Sequence, residues 1–302
     1  MIEDKKYYRN LNITVVSLFV IFMIIAGIFD LQISKAVHTP NSFFGNFFAE
    51  IGEFPLNIAP LVSFTIIYQY IPWENKQYKP IKALSVVGVI AGGLIFWRYL
   101  ANHLFDSELL FLNVYVIVFG LVTAFIAIVL TNSLDKELIK KLIIFALFYL
   151  AVAYALRLFV AITKETWLRL RFNYMNPETY EGFTPWWKIN FTVRGREHLA
   201  YEEFRTTAFR SFMSGHTTGA GACFAIIILP DLFDTLKKYR KFFYIAPLMY
   251  TFAVALSRVV IGAHFLSDVI AATMSSYVIA ILLRNLFLSK KVKSLLPKYN
   301  PR

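Results

Sequence analysis

The chain has 302 residues, 58% of them hydrophobic and 17% aromatic, with only 17% charged. That composition excludes a soluble domain of this length and points to a polytopic membrane protein. The formal net charge of +12 would suggest nucleic acid for a soluble protein, but on so apolar a chain it reads as a topology signal, and no nucleic-acid partner is expected.

The opening residues, MIEDKKYYRN, run into a long apolar stretch with no small-residue cleavage site after it. We read that stretch as an uncleaved first span. Stretches of spanning length fall at about 11–34, 82–104, 110–131, 138–163, 216–233, 242–261 and 264–287. Another, at about 55–71, is short, with Pro55 and Pro72 at its ends and Pro60 inside, so a tilted or re-entrant piece is the alternative to a span. The single cysteine, Cys223, excludes an internal disulfide and a cysteine-built metal site, and in its apolar setting reads as a small buried hydrophobe.

Charge decides the count. With eight spans and the amino terminus inside, cytoplasmic segments hold Lys5, Lys6 and Arg9, then Lys76, Lys79 and Lys82, then Lys136, Lys140 and Lys141. Lys237, Lys238, Arg240 and Lys241 follow, and Arg284, Lys290, Lys291, Lys293, Lys298 and Arg302 complete 19 of the 31 basic residues. The 105–109 turn on the other side carries Asp106 and Glu108 and no basic residue. Dropping the 55–71 span breaks this alternation, so we expect eight spans, both termini cytoplasmic, with anionic lipids at the basic loops. Long loops escape the rule. Residues 164–213 form one on the external side, carrying Lys164, Arg169, Arg171, Lys188, Arg194, Arg196, Arg205 and Arg210, with Trp167, Trp186 and Trp187 placed for the membrane interface.

Three pieces then face the same side. KETWLRLR runs from Lys164 to Arg171 as the fifth span emerges; Ser214-Gly215-His216 opens the sixth; SRVVIGAHFLSD, from Ser257 to Asp268, joins the seventh to the eighth. Lys164, Arg171 and Arg258 can neutralise and orient a phosphate. Ser214-Gly215 at a helix start offers backbone N–H groups and a hydroxyl to an anion. His264 and Asp268, four apart, share one face of a helix, so a carboxylate can orient an imidazole that attacks phosphorus. His216, from another span, can protonate the leaving oxygen. Each piece also has a plainer reading: Ser214 as a helix N-cap, Lys164 and Arg171 as interfacial anchors, the last cluster as snorkelling side chains.

Taken together, KETWLRLRF, MSGH and SRVVIGAHFLSD resemble the three-part signature of the type 2 phosphatidic acid phosphatase (PAP2) superfamily: K-x6-R-P, P-S-G-H and S-R-x5-H-x3-D. The likeness covers about 164–287. It implies a six-helix catalytic core within an all-α transmembrane bundle of about eight spans. Residues 1–137 would supply spans one to four, and 138–302 the catalytic half. His264 would be the nucleophile of a phosphohistidine, with Asp268 as its partner, and His216 the proton donor that later activates water. Lys164, Arg171, Ser214, Gly215 and Arg258 would hold the phosphate oxygens. The family needs no metal or other cofactor for hydrolysis. Both family prolines are replaced, by Phe172 and Met213, which should loosen the loops that carry them. Four spans before the catalytic half also exceed the two of minimal bacterial members.

The expected activity is hydrolysis of a lipid phosphomonoester or pyrophosphate at the external face of a cell membrane. Phosphatidic acid, phosphatidylglycerophosphate and polyprenyl pyrophosphates such as undecaprenyl pyrophosphate are the candidates. A lipid phosphotransferase using the same histidine, a soluble-substrate phosphatase, and a non-catalytic transporter or scaffold are the alternatives. Arg98 and Arg157 read as snorkelling side chains near span ends, although both can extend a phosphate pocket. His38, His103 and His198 read as interfacial, and Glu197, Glu202 and Glu203 with Arg194 and Arg196 as a solvated face.

Overall fold

The computed structural model describes residues 2–72, 76–104, 111–189 and 208–289. Among them the chain is helical and has no strand. The helices are α1 (Ile2–Val37), α2 (Phe43–Ile51), α3 (Phe54–Tyr70), α4 (Lys79–Leu104), α5 (Leu112–Thr131) and α6 (Lys136–Trp167). They continue with α7 (Gly215–Gly221), α8 (Leu229–Leu232), α9 (Arg240–Val260) and α10 (Leu266–Phe287). Among the described residues seven segments are long and apolar enough to cross a membrane, one of them formed by α2 and α3 together. The stretch expected as a span at 216–233 is helical but not one regular helix: α7 passes into a 3₁₀ stretch, Ala222–Ile228, before α8. Arg194, Arg196, Glu197, His198, Glu202, Glu203 and Arg205 lie outside the described residues, as do the 105–109 turn, the tail from Lys290 to Arg302, and the side chains of Lys5, Lys6 and His103.

Local chemistry explains the helix ends. Ser42 caps α2, its hydroxyl accepting from the Gly45 N–H at 3.2 Å. Pro55 opens α3, where a missing N–H costs no helical hydrogen bond. Asp135 caps α6 by accepting from the Glu137 and Leu138 N–H groups at 3.0 and 3.2 Å. Lys82, counted above among the cytoplasmic charges, is buried and donates to the Ile71 carbonyl at 2.6 Å just beyond the end of α3.

The chain divides into two compact units. One comprises Glu53–Leu156, Gly219–Leu248 and Val278–Arg302. Here α3 and α4 pack closely because Gly92 has no side chain: a Cβ there would lie 2.4 Å from the Leu61 nitrogen. Gln69 donates to the Ile128 carbonyl and the Thr131 hydroxyl, both at 2.9 Å, tying α3 to α5. Asp231 of α8 pairs with Arg240 at 3.0 Å and with Arg284 at 2.5 Å, so two more of the counted cations are held in an ion-pair cluster.

The other unit comprises Met1–Gly52, Arg157–Thr218 and Met249–Tyr277. Ile33 of α1 packs with Ala255 and Val259 of α9 and with Leu266 and Val269 of α10. Tyr277 donates to Asn12 at 2.5 Å, and the Thr39 N–H to the Val260 carbonyl at 2.7 Å. The first helix is thereby part of the frame that carries all three pieces singled out in the sequence.

Candidate active site

α6 ends when Leu168 takes a left-handed conformation (φ 46°), which reverses the chain after Trp167. Residues 169–171 then run beside 208–211: the Ser211 N–H donates to the Arg169 carbonyl at 3.0 Å and the Arg171 N–H to the Ala208 carbonyl at 2.9 Å. This pairing leads directly into Ser214. The Ser214 hydroxyl caps α7, accepting from the Thr217 N–H at 3.3 Å and the Thr217 hydroxyl at 2.9 Å. The N-cap reading of Ser214 therefore holds, and it leaves the positive end of the helix dipole at Gly215 and His216.

The third piece departs from the expected geometry. His264 and Asp268 do not share a helix face, because His264 lies in the turn between α9 and α10, outside both. The turn closes through the Ala263 and His264 N–H groups, which donate to the Arg258 carbonyl at 3.0 and 3.2 Å. Gly262 makes it possible: its φ is +70°, and a Cβ would meet the His38 ring at 2.8 Å. Asp268 sits in the first turn of α10 and its Oδ2 reaches back to the Phe265 N–H at 2.9 Å, one half of a capping box. Tertiary turn geometry, rather than helical pitch, brings His264 Nδ1 to 3.6 Å from Asp268 Oδ2.

At 3.6 Å this contact is longer than a hydrogen bond, and Asp268 acts on the imidazole through its charge. The reason is competition. Asp268 Oδ2 already accepts from the Ser211 hydroxyl at 2.5 Å and the Phe265 N–H, while Oδ1 accepts from Arg169 at 2.6 Å. His264 Nδ1, although buried, is left with no hydrogen-bond partner among the described residues. Burial outweighs the neighbouring carboxylate and pushes the imidazole down to about 3, so His264 is neutral at physiological pH.

The three pieces converge. The Ser214 N–H donates to the Asp268 carbonyl at 3.4 Å and the Asn173 N–H to the Gly262 carbonyl at 3.0 Å. Arg258, His264, Lys164 and Arg171 all lie within electrostatic range of His216. Ser214, Arg258, His264 and Asp268 are buried, whereas Lys164, Arg171, Gly215 and His216 are part-exposed, so the cluster has a floor and an accessible side. Arg98 stands elsewhere, bonded to Asn113 at 3.2 Å in the other unit, and Arg157 is exposed on α6. Among the described residues no three His, Cys, Asp or Glu side chains are grouped to hold a metal ion.

A cluster of cations with two histidines from different segments, one beside a buried carboxylate, can in chemical terms hold an anion and attack an electrophilic centre. Residues 142–291 match the family model of the PAP2 superfamily, a span that takes in every one of these groups. The chain belongs to the PAP2 superfamily. That membership gives it a phosphatase-type function in general terms. No curated protein and no solved structure matches it.

Within this PAP2 chain the two side chains that stand in place of the family prolines are both buried. Phe172 is buried with Met175, Phe265, Leu31, Leu170, Tyr180 and Phe183, and stacks on Tyr180 at 5.6 Å. Met213 is buried with Met23, Phe212, Ala271 and Ala272.

Two residues of the site escaped the sequence reading. Arg169, counted only as one of many loop cations, is buried against Asp268, and beyond it stands Asp30 of α1, 2.8 Å from the same guanidinium. A lone aspartate inside the first apolar span was the available signal, since such residues are functional suspects by default.

Proposed function

We propose that the protein is an integral membrane phosphatase that hydrolyses a lipid phosphomonoester or lipid pyrophosphate at the external membrane face through a phosphohistidine at His264. The observation that carries this reading is the buried His264, its Nδ1 3.6 Å from Asp268 Oδ2 and the ring in the field of the cations Arg171 and Arg258. Because Nδ1 faces Asp268, Nε2 is the nitrogen available to attack phosphorus.

In the first step the Nε2–P bond forms as the P–O bond to the leaving group breaks, and His216 gives its proton to the departing oxygen. Burial first, and then the cations around it, oppose a proton on His216. A bound phosphate dianion offsets them and favours the protonated, acid form. In the second step water attacks phosphorus, the P–N bond breaks, and His216 takes the proton. Lys164, Arg171 and Arg258, with the backbone at Ser214-Gly215, spread the charge that develops on the equatorial oxygens. The longer His264–Asp268 contact tightens as the imidazole gains positive character.

A lipid substrate is favoured because seven described segments are long and apolar enough to cross a membrane, and a bilayer-anchored phosphate suits an integral membrane protein. The external face rests on the alternation of basic loops. The test is a panel of phosphatidic acid, phosphatidylglycerophosphate and a polyprenyl pyrophosphate, offered to purified protein in detergent and to sealed right-side-out vesicles. Phosphate release in both preparations, absent in His264→Ala and His216→Ala proteins that still fold, is expected. Turnover retained by His264→Ala would remove the nucleophile assignment.

A further inference from the structure

Behind Asp268 lie two buried charged residues, Arg169 and Asp30, to which the reaction sketched above gives no role. Arg169 donates through Nη1 to Asp268 Oδ1 at 2.6 Å and to the Ser267 hydroxyl at 2.7 Å, through Nη2 to Asp30 Oδ2 at 2.8 Å, and through Nε to the Thr184 carbonyl at 2.9 Å. Its guanidinium also lies 4.1 Å from the centre of the Phe265 ring. Asp30 in turn accepts from the Ser267 N–H at 2.9 Å through Oδ1 and from the Ser267 hydroxyl through Oδ2. Arg169 and Asp30 are each 1% exposed and Asp268 is 0% exposed.

We infer that Asp30 is a positioning residue for the reaction: by neutralising Arg169 it leaves the charge of Asp268 uncancelled at His264, and by capping the start of α10 it fixes where that carboxylate stands. This rests on the phosphohistidine reading and deepens it.

The charge sum makes the case. Arg169 and Asp268 alone would form a neutral pair, and a neutral pair stabilises an imidazole that turns cationic as it attacks phosphorus much less than a net negative charge does. Two carboxylates around one guanidinium carry a net charge of −1, the charge a lone aspartate beside a histidine would supply. The guanidinium holds Asp268 in one rotamer while Asp30 offsets its field. The other charged groups acting on His264 are Arg171 and Arg258, both positive, so without Asp30 every charge around the Asp268–His264 pair would be cationic.

A purely structural role explains the arrangement poorly. Buried ion pairs stabilise little compared with apolar packing of the same volume, because taking the charges out of water offsets their attraction. The geometry is also more specific than an anchor needs. Asp30 accepts from the backbone N–H of the second residue of α10, so α1 is tied to the helix start that carries Asp268.

The experiment uses the purified full-length protein and a lipid phosphate that the wild type hydrolyses. D30N keeps the shape and the acceptor for Ser267 but removes the charge. It should lower kcat by about 10–100-fold, with KM and inhibition by inorganic phosphate within about twofold, since no phosphate ligand is touched. The double variant D30N/R169Q restores the net charge of −1 and should recover kcat at least about fivefold over D30N, a gain that mere loss of structure would not produce. A D30N protein with kcat within twofold of wild type, while His264→Ala stays inactive, would overturn the inference and leave the phosphohistidine reading intact. Activity in His264→Ala would instead sink that reading. If D30N fails to fold, D30N/R169Q decides: kcat within about tenfold of wild type supports the charge argument, and loss as deep as that of His264→Ala overturns it.

Discussion

At the scale of single residues, His264 combines burial, neutrality and an unfilled Nδ1 beside a carboxylate that already accepts three hydrogen bonds from other groups. This has a measurable consequence for stability. The folded-state pKa, about 3, lies below the unfolded value of about 6.5. Between these values the unfolded chain binds a proton that the folded protein does not. The stabilising contribution is therefore complete above about pH 6.5 and is lost as pH falls towards 3, by up to about 1.4 kcal/mol per pH unit. Thermal melting of the detergent-solubilised protein between pH 7 and pH 5 should show this loss, and the His264→Gln variant should show a shallower decline. Equal slopes for the two proteins would mean that His264 is not held neutral. Residue types at fixed spacing made the clustered His216, Arg258, His264 and Asp268 legible in the sequence, because three short pieces carry the imidazoles and cations that can hold and attack a phosphate. Arg169 and Asp30 were not legible as partners. They are 139 residues apart, and no local pattern foretells that a guanidinium leaving α6 meets a carboxylate of α1.

At the scale of elements, the helices lie where apolar length and end chemistry place them. The stretches read at 82–104 and 242–261 correspond to α4, Lys79–Leu104, and α9, Arg240–Val260. Periodicity failed where a turn imitates a helix. His264 and Asp268 are spaced like helical neighbours, yet Gly262 ends α9 and the pair meets across a turn. The sequence offered the glycine as a signal, since a positive φ two residues before the histidine excludes a continuous helix. The turn is correspondingly sensitive. Gly262→Ala forces a side chain into a left-handed position and against His38 and Phe172. It should cost about 1–3 kcal/mol of stability and lower kcat by at least tenfold, seen as a reduced melting temperature with reduced phosphate release. A variant with wild-type turnover would show that the turn does not need this conformation. The broken helix at 215–232 was likewise invisible, because 3₁₀ and α stretches share the same apolar composition.

At the scale of the whole molecule, residues 142–291 match the family model, yet α1, outside that match, supplies Asp30 to the compact unit that holds the site residues. The basic loops that suggested eight spans are partly committed to structure, as Lys82, Arg240 and Arg284 show. Everything proposed for the molecule, from membrane-anchored substrate to water-released phosphate, passes through one covalent bond on His264. The most direct test is to mix the purified protein with a lipid substrate labelled in the hydrolysable phosphate, quench in alkali within milliseconds to seconds, and map the label. An acid-labile, alkali-stable phosphate on His264, absent in His264→Ala and accumulating in His216→Ala if that variant still accepts a substrate with a good leaving group, is the predicted result. Steady turnover with no label on His264, or label on any other residue, would contradict the account.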